Sequence, residues 1–171
     1  MAENKGKFIV KLALILLAVS AVMALALGIM NEATKEPIRI GAEEKTKTAY
    51  ANVLAAETYE EVQIPEGIKG ITKLSVAKDA GGADLGYVAE STFSGAQGMI
   101  TMVTGLDSEL KCSGIYVTKH SETSGLGANA ASTADVGVNF RAQFVGQDET
   151  IALRKAGGEI DALSGATITS R

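Results

Sequence analysis

Side chains that could carry chemistry are concentrated near the end of this 171-residue chain. Residues 161–167 have the sequence Asp-Ala-Leu-Ser-Gly-Ala-Thr, which places a carboxylate, two hydroxyls and a flexible glycine in one short segment. A threonine hydroxyl such as that of Thr167 is too weak an acid to act as a nucleophile unless a general base activates it. The neighbours of Thr167 in sequence offer no such base. The segment alone is therefore typical of either a hydroxyl that another protein modifies or a turn that leads into a strand or helix.

A second polar segment, residues 120–127, has the sequence His-Ser-Glu-Thr-Ser-Gly-Leu-Gly and follows a predicted strand. Its two glycines let the backbone approach a ligand closely. The backbone amides of the last three residues could form an anion-binding nest. The residues that could hold a ligand here are Glu122, Thr123, Gly125, Leu126 and Gly127.

Residues 125–130 also match the dinucleotide-binding pattern Gly-x-Gly-x-x-Gly/Ala. That pattern needs a parallel strand running directly into the glycines, a long helix after them and an acidic residue about twenty positions further on. Asp148 and Glu149 stand near that distance, but the helix between is predicted to be short and the flanking strands to be antiparallel. We therefore expect no dinucleotide site.

An uncharged apolar run from Leu12 to Met30 predicts a transmembrane helix. A helix of this length would be roughly 28 Å long, close to the thickness of the hydrocarbon core of a bilayer. A cleaved signal peptide is the alternative, because lysines precede the run and residues 24–26 resemble a small-residue cleavage site. The run is longer than the usual apolar region of a signal peptide, so a retained anchor is favoured.

The distribution of charge indicates orientation and excludes one class of partner. By the positive-inside rule, Lys5, Lys7 and Lys11 place the N-terminus in the cytoplasm and the following domain on the outer face of the inner membrane, in the periplasm or outside the cell. The chain has a formal net charge of −4, and the part after residue 30 is more acidic because it lacks these lysines. An acidic domain repels nucleic acid, so no nucleic-acid partner is expected.

Cysteine and histidine usage excludes several metal sites. With one cysteine and one histidine, this chain alone cannot form an all-protein zinc site or hold an iron–sulfur cluster. Cys112 is predicted to be a small buried residue at the start of a strand. His120 is either a hydrogen-bonded structural residue or a group beside a bound ligand. No nucleophile triad or acid–base pair is apparent, so we predict no catalytic residue and no metal ligand.

The pattern of apolar residues predicts an α+β fold, with a single N-terminal transmembrane helix followed by a domain with an antiparallel sheet and flanking helices. We expect a cytoplasmic N-terminus and span at 1–30, a linker with a membrane-proximal helix at 31–65 and an extracytoplasmic domain at 66–171. The expected elements are a joint at 31–37, a helix at 42–62, strands at 71–77, 86–93, 99–105 and 111–118, a short helix at 139–147 and a hairpin at 151–160.

Both polar segments resemble motifs of one flavoprotein family. Residues 161–167 are similar to the flavinylation motif Asp-x-x-Ser/Thr-Gly-Ala-Thr. Residues 120–127 are similar to His-x-Glu-Thr-Pro-Gly-Leu-Gly, with Ser124 in place of the proline, a change that weakens loop rigidity. With the N-terminal span, the helix expected around 140–146 and the lead at 158–161, nearly the whole chain resembles the G subunits of the Rnf electron-transport complex.

This resemblance implies a covalently bound FMN. Thr167 would then be modified rather than catalytic, because a separate Mg-dependent flavin transferase takes FMN from FAD and joins it to the threonine through a phosphodiester bond. Asp161 would be a recognition element for that transferase or a ligand for its metal. The cofactor-binding residues that the resemblance implies are Thr167, Ser164, Gly165, Ala166, Asp161, Glu122, Thr123, Gly125, Leu126 and Gly127.

The resemblance also implies a role in electron transport. Such a subunit carries electrons in a membrane complex that couples ferredoxin:NAD oxidoreduction to the translocation of Na⁺ or H⁺. Its partners would be the other membrane subunits, including a second subunit with covalent FMN. It would belong to a translocase without a complete catalytic site of its own.

Two other functions stay open at this point. The homologous C subunit of the sodium-pumping NADH:quinone reductase shares the FMN domain, although the short chain favours the Rnf complex. A membrane-anchored binding or assembly module without redox function is the other alternative. Relatives usually continue with a further helix after the motif, so the end at Arg171 indicates either a truncated sequence or a flavin pocket that lacks one wall.

Overall fold

The computed structural model describes residues 2–171, and the side chains of residues 6–171. The chain divides into two compact units, the first ending at Glu44 and the second comprising Lys45–Arg171. The order of elements is one long helix, five strands and a second, short helix, with single turns of 3₁₀ helix around the latter. This agrees with the predicted α+β fold.

Helix α1, Ala2–Val53, contains the predicted apolar run. Its Gly6–Val53 part includes a stretch of mean hydropathy 2.8 without a buried residue, long and apolar enough to cross a membrane by length and composition. The core helix of a soluble domain would bury such a stretch. The structure therefore confirms the long apolar helix, which finds no protein surface to cover it in the described part of the chain.

The predicted joint at 31–37 is wrong, because α1 continues through Pro37. Proline removes one backbone hydrogen bond from a helix interior, but side chains around it favour the helix. The Thr34 hydroxyl donates to the carbonyl of Met30 at 2.8 Å. Arg39 pairs with Glu36 at 2.6 Å and with Glu43 at 2.5 Å, at the spacings of three and four residues that stabilise helices.

The helix predicted at 42–62 is correct only as far as Val53, where α1 ends. Residues Thr58–Val62 form strand β1 instead. This strand contains threonine, tyrosine and valine, which fit a pleated surface well. Pairing with the next strand outweighs the helical spacing of the apolar residues.

The sheet is an antiparallel meander of five strands that pair in chain order. The four strands after β1 correspond to the predicted meander. Two of its turns are fixed by aspartates, each of which accepts two backbone N–H groups. Asp79 accepts from Gly81 and Ala83 at 2.8 and 2.9 Å, and Asp107 accepts from Glu109 and Lys111 at 2.9 Å. Such local bonds specify a tight turn. The remaining strands are β2 at Ile71–Lys78, β3 at Asp84–Ser94, β4 at Met99–Asp107 and β5 at Cys112–Lys119.

One face of the sheet packs against the C-terminal end of α1. Ala49, Tyr50 and Val53 are at most 5% exposed and form a core with valines and an alanine of the strands. The Tyr50 hydroxyl donates to Glu90 at 2.7 Å, which satisfies a polar group at the edge of this core. This last part of α1 is therefore a structural element of the second unit.

The helix end approaches the sheet closely at a cross-strand pair of glycines, Gly105 and Gly114. A Cβ at Gly105 would lie 2.7 Å from the Val53 carbonyl oxygen, and one at Gly114 would lie 3.2 Å from the Val53 Cα. The Ser113 hydroxyl donates to the same Val53 carbonyl at 2.6 Å. A carbonyl that the helix itself leaves unpaired is thus satisfied by the sheet.

The opposite face of the sheet carries helix α2, Asp135–Ala142, and the C-terminal segment. The helix predicted at 139–147 begins and ends earlier, since Asp135 lies in its first turn and Phe144 lies beyond it. Phe140 and Phe144 still pack together, with ring centroids 5.3 Å apart. A second core forms here from Ala130, Phe140, Ile160, Leu163 and Ala166.

The hairpin predicted at 151–160 is wrong. Leu153 and Ile160 pair as a parallel bridge, and a 3₁₀ turn at Arg154–Ala156 lies between them. Gly157 ends that turn in a left-handed conformation with φ +89°, which glycine adopts readily. The segments around Leu153 and Ile160 then run in the same direction. The glycines that predicted a hairpin therefore make a loop. Cys112 is buried at the start of β5, as predicted.

We expect Gly105→Ala to lower the free energy of unfolding by about 1–3 kcal/mol, because the added methyl overlaps the Val53 backbone and must displace the helix end. Urea unfolding of the full chain in detergent, followed by circular dichroism, measures the change. Gly41→Ala is the control, since a Cβ there meets nothing within 4 Å. Equal stability of Gly105→Ala and wild type would show that the close approach is not a constraint.

Candidate functional site

The two polar segments singled out from the sequence meet on the face of the sheet that carries α2. Leu126 lies against Gly165, such that a Cβ at Gly165 would be 3.0 Å from the Leu126 Cδ2. Gly165 itself has φ +70°, a conformation that favours glycine. Residues separated by about forty positions are thus brought into contact by the fold.

Glu122 is the main link between these segments. Its side chain is largely buried, and its carboxylate accepts a hydrogen bond from the Thr169 hydroxyl at 2.5 Å and one from the Gln97 amide at 3.0 Å. These bonds hold the pKa of Glu122 below its ordinary value, with the Gln97 amide as the larger cause and the Thr169 hydroxyl next. Glu122 therefore acts as an ionised acceptor that joins three loops.

Two glycines make room for this carboxylate. A Cβ on Gly95 would meet the Glu122 Oε1, and a Cβ on Gly127 would meet both the Glu122 carboxylate and the Thr169 hydroxyl. Neither glycine has a positive φ, so close approach is the reason for the absence of a side chain. The sequence predicted Glu122 to be a cofactor ligand. In the structure its carboxylate accepts hydrogen bonds from Gln97 and Thr169 of the protein.

The loop at 123–131 uses part of its predicted anion nest internally. The Leu126 amide and the Ala128 amide both donate to the Thr123 carbonyl at 3.2 Å. The Asn129 side chain donates to the Gly125 carbonyl at 3.0 Å. Leu126 therefore faces the site with its side chain, which is 43% exposed, rather than with its amide.

The structure confirms that residues 125–130 are not a dinucleotide-binding turn. The strand before them, β5, is antiparallel to its neighbour. The glycines lead into a five-residue 3₁₀ helix, Gly127–Ala131, rather than a long α-helix. The parallel strand and helix dipole that would bind a pyrophosphate are both missing from this segment.

The turn of the C-terminal motif is stabilised by hydrogen bonds on its buried side. The Leu163 amide donates to the Ser170 hydroxyl at 3.0 Å, and this hydroxyl donates to the Ala166 carbonyl at 2.8 Å. Leu163 and Ala166 are buried in the second core. The same turn leaves Ser164, Gly165 and Thr167 exposed.

Thr167 lies in an open groove of about 460 Å³. Within residues 2–171, the structure records no hydrogen bond from the Thr167 hydroxyl and places no histidine in the groove lining. The Thr167 side chain is therefore exposed, and no histidine stands beside it that could activate the hydroxyl among the described residues. The polar and charged residues that share the groove with it are Arg154, Lys155, Asp161 and Ser164.

Asp161 is held at both its side chain and its backbone. The Arg154 guanidinium donates to its two carboxylate oxygens at 2.7 and 3.0 Å. The Gln143 side chain accepts from the Asp161 amide at 2.7 Å and donates to its carbonyl at 3.3 Å. Sequence reasoning missed Arg154 and Gln143. The only signal for Arg154 in the sequence was its positive charge a few positions before the motif. The sequence contains no signal for Gln143.

An apolar cavity of about 290 Å³ lies on the other side of the motif, between the sheet and α2. Its wall includes Ile100, Met102 and Phe140, and Thr169 and Ser170 stand at its edge. The segment 163–170 therefore borders both the polar groove and this cavity.

His120 is half-buried, and its Nδ1 is enclosed without a hydrogen-bond partner among the described residues. The hydrogen-bonded structural role considered from the sequence is therefore not observed at that nitrogen. Its position two residues before Glu122 places it at the edge of the site.

Comparison with known proteins assigns these features to a family. A family model described as FMN-binding domain matches residues 95–171, which include both polar segments. The G subunit of an ion-translocating oxidoreductase complex from Methanosarcina acetivorans is 34% identical over 176 residues, covering 98% of this chain and 90% of that protein. The corresponding subunit from Escherichia coli K12 is 30% identical, covering 83% of this chain and 74% of that protein.

A third relative has a more specific name. The G subunit of the Na⁺-translocating ferredoxin:NAD⁺ oxidoreductase complex of Acetobacterium woodii is 29% identical over 184 residues. The alignment covers 96% of this chain and 86% of that protein. The similarity therefore extends over the apolar helix as well as the domain that follows it.

We expect Glu122→Gln to lower the free energy of unfolding by about 1–3 kcal/mol at neutral pH, because the buried carboxylate loses its charge-assisted hydrogen bonds. Since the folded-state pKa is depressed, this stability is fully present above the unfolded pKa near 4.5 and is lost as pH falls below it. The difference between wild type and variant should shrink in that acidic range.

Urea unfolding at a series of pH values measures this difference. Glu66→Gln is the control, because Glu66 lies in an exposed loop. A difference between wild type and Glu122→Gln that stays constant as the pH falls well below 4.5 would exclude an ionised Glu122 as the linking group.

Proposed function

Because this chain belongs to the family of the G subunits of ion-translocating oxidoreductase complexes, we propose that it is a covalently flavinylated, membrane-anchored electron carrier of such a complex. The observation that carries this proposal is the exposed Thr167 hydroxyl, held over a groove with two cationic side chains. It lies inside the match to the FMN-binding domain. The family membership and the FMN-binding domain support a flavoprotein subunit, and Thr167 provides the attachment point.

The residues around Thr167 fit the phosphate end of FMN. Thr167 and Gly165 of the turn both line the open groove. Arg154 and Lys155 offer positive charge to a phosphate group. FMN supplies the redox chemistry when bound, and the protein supplies its attachment, orientation and surroundings.

Attachment requires a separate enzyme. Among the described residues, the one carboxylate that lines the groove is that of Asp161, and both of its oxygens accept hydrogen bonds from Arg154. A flavin transferase would therefore supply the base that activates the hydroxyl. Asp161, exposed at the same groove, is the recognition element for that transferase or a ligand for its metal. The buried side chains of Leu163 and Ala166 anchor the turn, so the folded domain presents Thr167 in a fixed position.

The other predicted residues position the site. Glu122 supports the turn through Thr169, and Gly127 allows that contact. Leu126 presents an apolar side chain beside Gly165, where it can pack against the cofactor. Thr123 fixes the backbone of this loop through its carbonyl.

We further propose the membrane arrangement. Residues 1–30 form the cytoplasmic N-terminus and the span, 31–65 a linker and 66–171 the FMN-binding domain on the outer face. The lysines before the apolar run support this orientation. The linker includes the end of α1, so it also supplies residues to the core of the domain.

The complex is the most specific part of the proposal. The name of the Acetobacterium woodii relative refers to ferredoxin, NAD⁺ and Na⁺ translocation. By analogy, this chain passes electrons between other membrane subunits of a complex that couples ferredoxin:NAD oxidoreduction to the movement of Na⁺ or H⁺. One of those subunits carries a second covalent FMN.

The attachment can be tested by mass spectrometry of the full chain after co-expression with a flavin transferase. We expect a mass increase of one FMN less one water on the peptide that contains Thr167, and no increase in Thr167→Ala. Thr150→Ala is the matched control, because Thr150 is also an exposed loop threonine. An unmodified, folded wild-type chain, with the transferase active on another substrate, would exclude the carrier and leave the anchored binding module.

The orientation can be tested with cysteine labelling, since the native Cys112 is buried. We expect Glu66→Cys to react with a membrane-impermeant maleimide in spheroplasts, and Glu3→Cys to react only after the membrane is permeabilised. The wild-type chain measures background labelling of Cys112. The reverse pattern would place the FMN-binding domain in the cytoplasm.

A further inference from the structure

The groove beside Thr167 has a local charge that differs from that of the whole chain. Arg154 and Lys155 line it together with one carboxylate, that of Asp161, whereas the chain has a net charge of −4. Neither protonated side chain can accept a proton, so neither can act as the general base that attachment to Thr167 requires. Their position in the groove indicates a ligand with negative charge.

The guanidinium of Arg154 is fixed in orientation. Its backbone amide donates to the Ile160 carbonyl at 2.8 Å, so the residue is anchored at the parallel bridge. Its Nε and Nη2 donate to the two Asp161 oxygens, and the Asp161 backbone is itself held by Gln143. The side chain is therefore held at its base and at its tip.

This fixed guanidinium keeps donors available. An arginine has five N–H donors, and the bonds that the structure records for the Arg154 side chain use only Nε and Nη2. Within residues 2–171, no bond is recorded for its Nη1 or for the Lys155 ammonium. Both residues line the groove that contains Thr167.

Stability does not explain the Arg154–Asp161 pair. The two side chains are 66% and 64% exposed, and ion pairs with that exposure contribute little to folding because water screens them. The bidentate geometry instead gives a defined direction to the donors that remain. We therefore interpret the pair as a means of orienting the Arg154 guanidinium.

We propose that Arg154, oriented by Asp161, and Lys155 together bind the phosphodiester that links the flavin to Thr167. This inference rests on the proposed function. A phosphodiester carries one negative charge and two free oxygens, which match the Nη1 donors and the ammonium. Asp161 then has a positioning role in the finished flavoprotein, in addition to any role in recognition by the transferase.

The test uses the full chain, flavinylated by co-expression and purified in dodecyl maltoside, which contains no phosphorus. Intact mass first establishes attachment. Phosphorus-31 NMR then compares the phosphodiester resonance in wild type, Arg154→Gln, Lys155→Gln and the double variant, each in the folded and the urea-unfolded state. Lys73→Gln is the control, because Lys73 is an exposed, ion-paired cation on β2, outside the groove.

We expect the folded wild-type resonance to differ from the unfolded one, and the double variant to lose most of this difference while the control keeps it. Susceptibility to a phosphodiesterase should rise several-fold in the double variant. A double variant with attached flavin and the wild-type resonance would overturn the inference. A wild-type chain without attached flavin would instead overturn the proposed function.

A salt titration of the flavinylated wild type does not depend on the variants. Raising KCl to about 1 M shortens the screening length to roughly 3 Å and weakens exposed ionic contacts. The resonance should move toward its unfolded position. A resonance that is independent of salt and equal to the unfolded value at low salt would show that no cation binds the phosphodiester.

Discussion

A single buried carboxylate joins three loops that lie far apart in the sequence. Glu122 receives hydrogen bonds from Gln97 and Thr169, so it connects the break between two strands, the loop after β5 and the end of the C-terminal motif. A buried charge is unfavourable unless donors surround it, and here the donors come from two segments that lie far from Glu122 in the sequence. The space for it exists because Gly95 and Gly127 have no side chains.

The contact between Glu122 and Thr169 helps to fix which side chains near Thr167 face the interior of the protein. Thr169 points inward to Glu122 and Ser170 inward to Ala166, while Thr167 between the buried residues points outward. One face of a short segment is thus committed to the core, and the other is exposed to solvent. For the flavinylation that we propose at Thr167, this division would give the attached group a defined position, which a flexible tail would not.

The sequence predicted most of the sheet and little of the site geometry. Alternating residues in β2–β5 and aspartates at the turns are local signals, so the meander could be predicted from short windows. The role of Thr167 as an attachment site was predicted by resemblance and stays a prediction, while the structure shows that this residue is exposed. The Glu122–Thr169 bond spans 47 positions, and no local pattern specifies such a pair.

The errors arose where tertiary contacts decide between local preferences. Residues 58–62 continue the helical spacing of apolar residues but pair with β2 as a strand. Residues 151–160, predicted to be a hairpin, form a loop with a parallel bridge, in which Gly157 has a positive φ. The sequence did not indicate Arg154 as a site residue, because its pairing with Asp161 depends on the path of the loop between them. A charged residue near a motif has no evident function until the backbone shows which groove it enters.

The burial of Cys112 has a consequence for the stability of the protein to oxidation. Burial raises the pKa of this thiol, so the reactive thiolate form is scarce. The chain has no other cysteine, and a single accessible thiol outside the cytoplasm would cross-link two copies or be oxidised irreversibly. Enclosed at the start of β5, this sulfur is shielded from a second copy of the chain and from oxidants in solution.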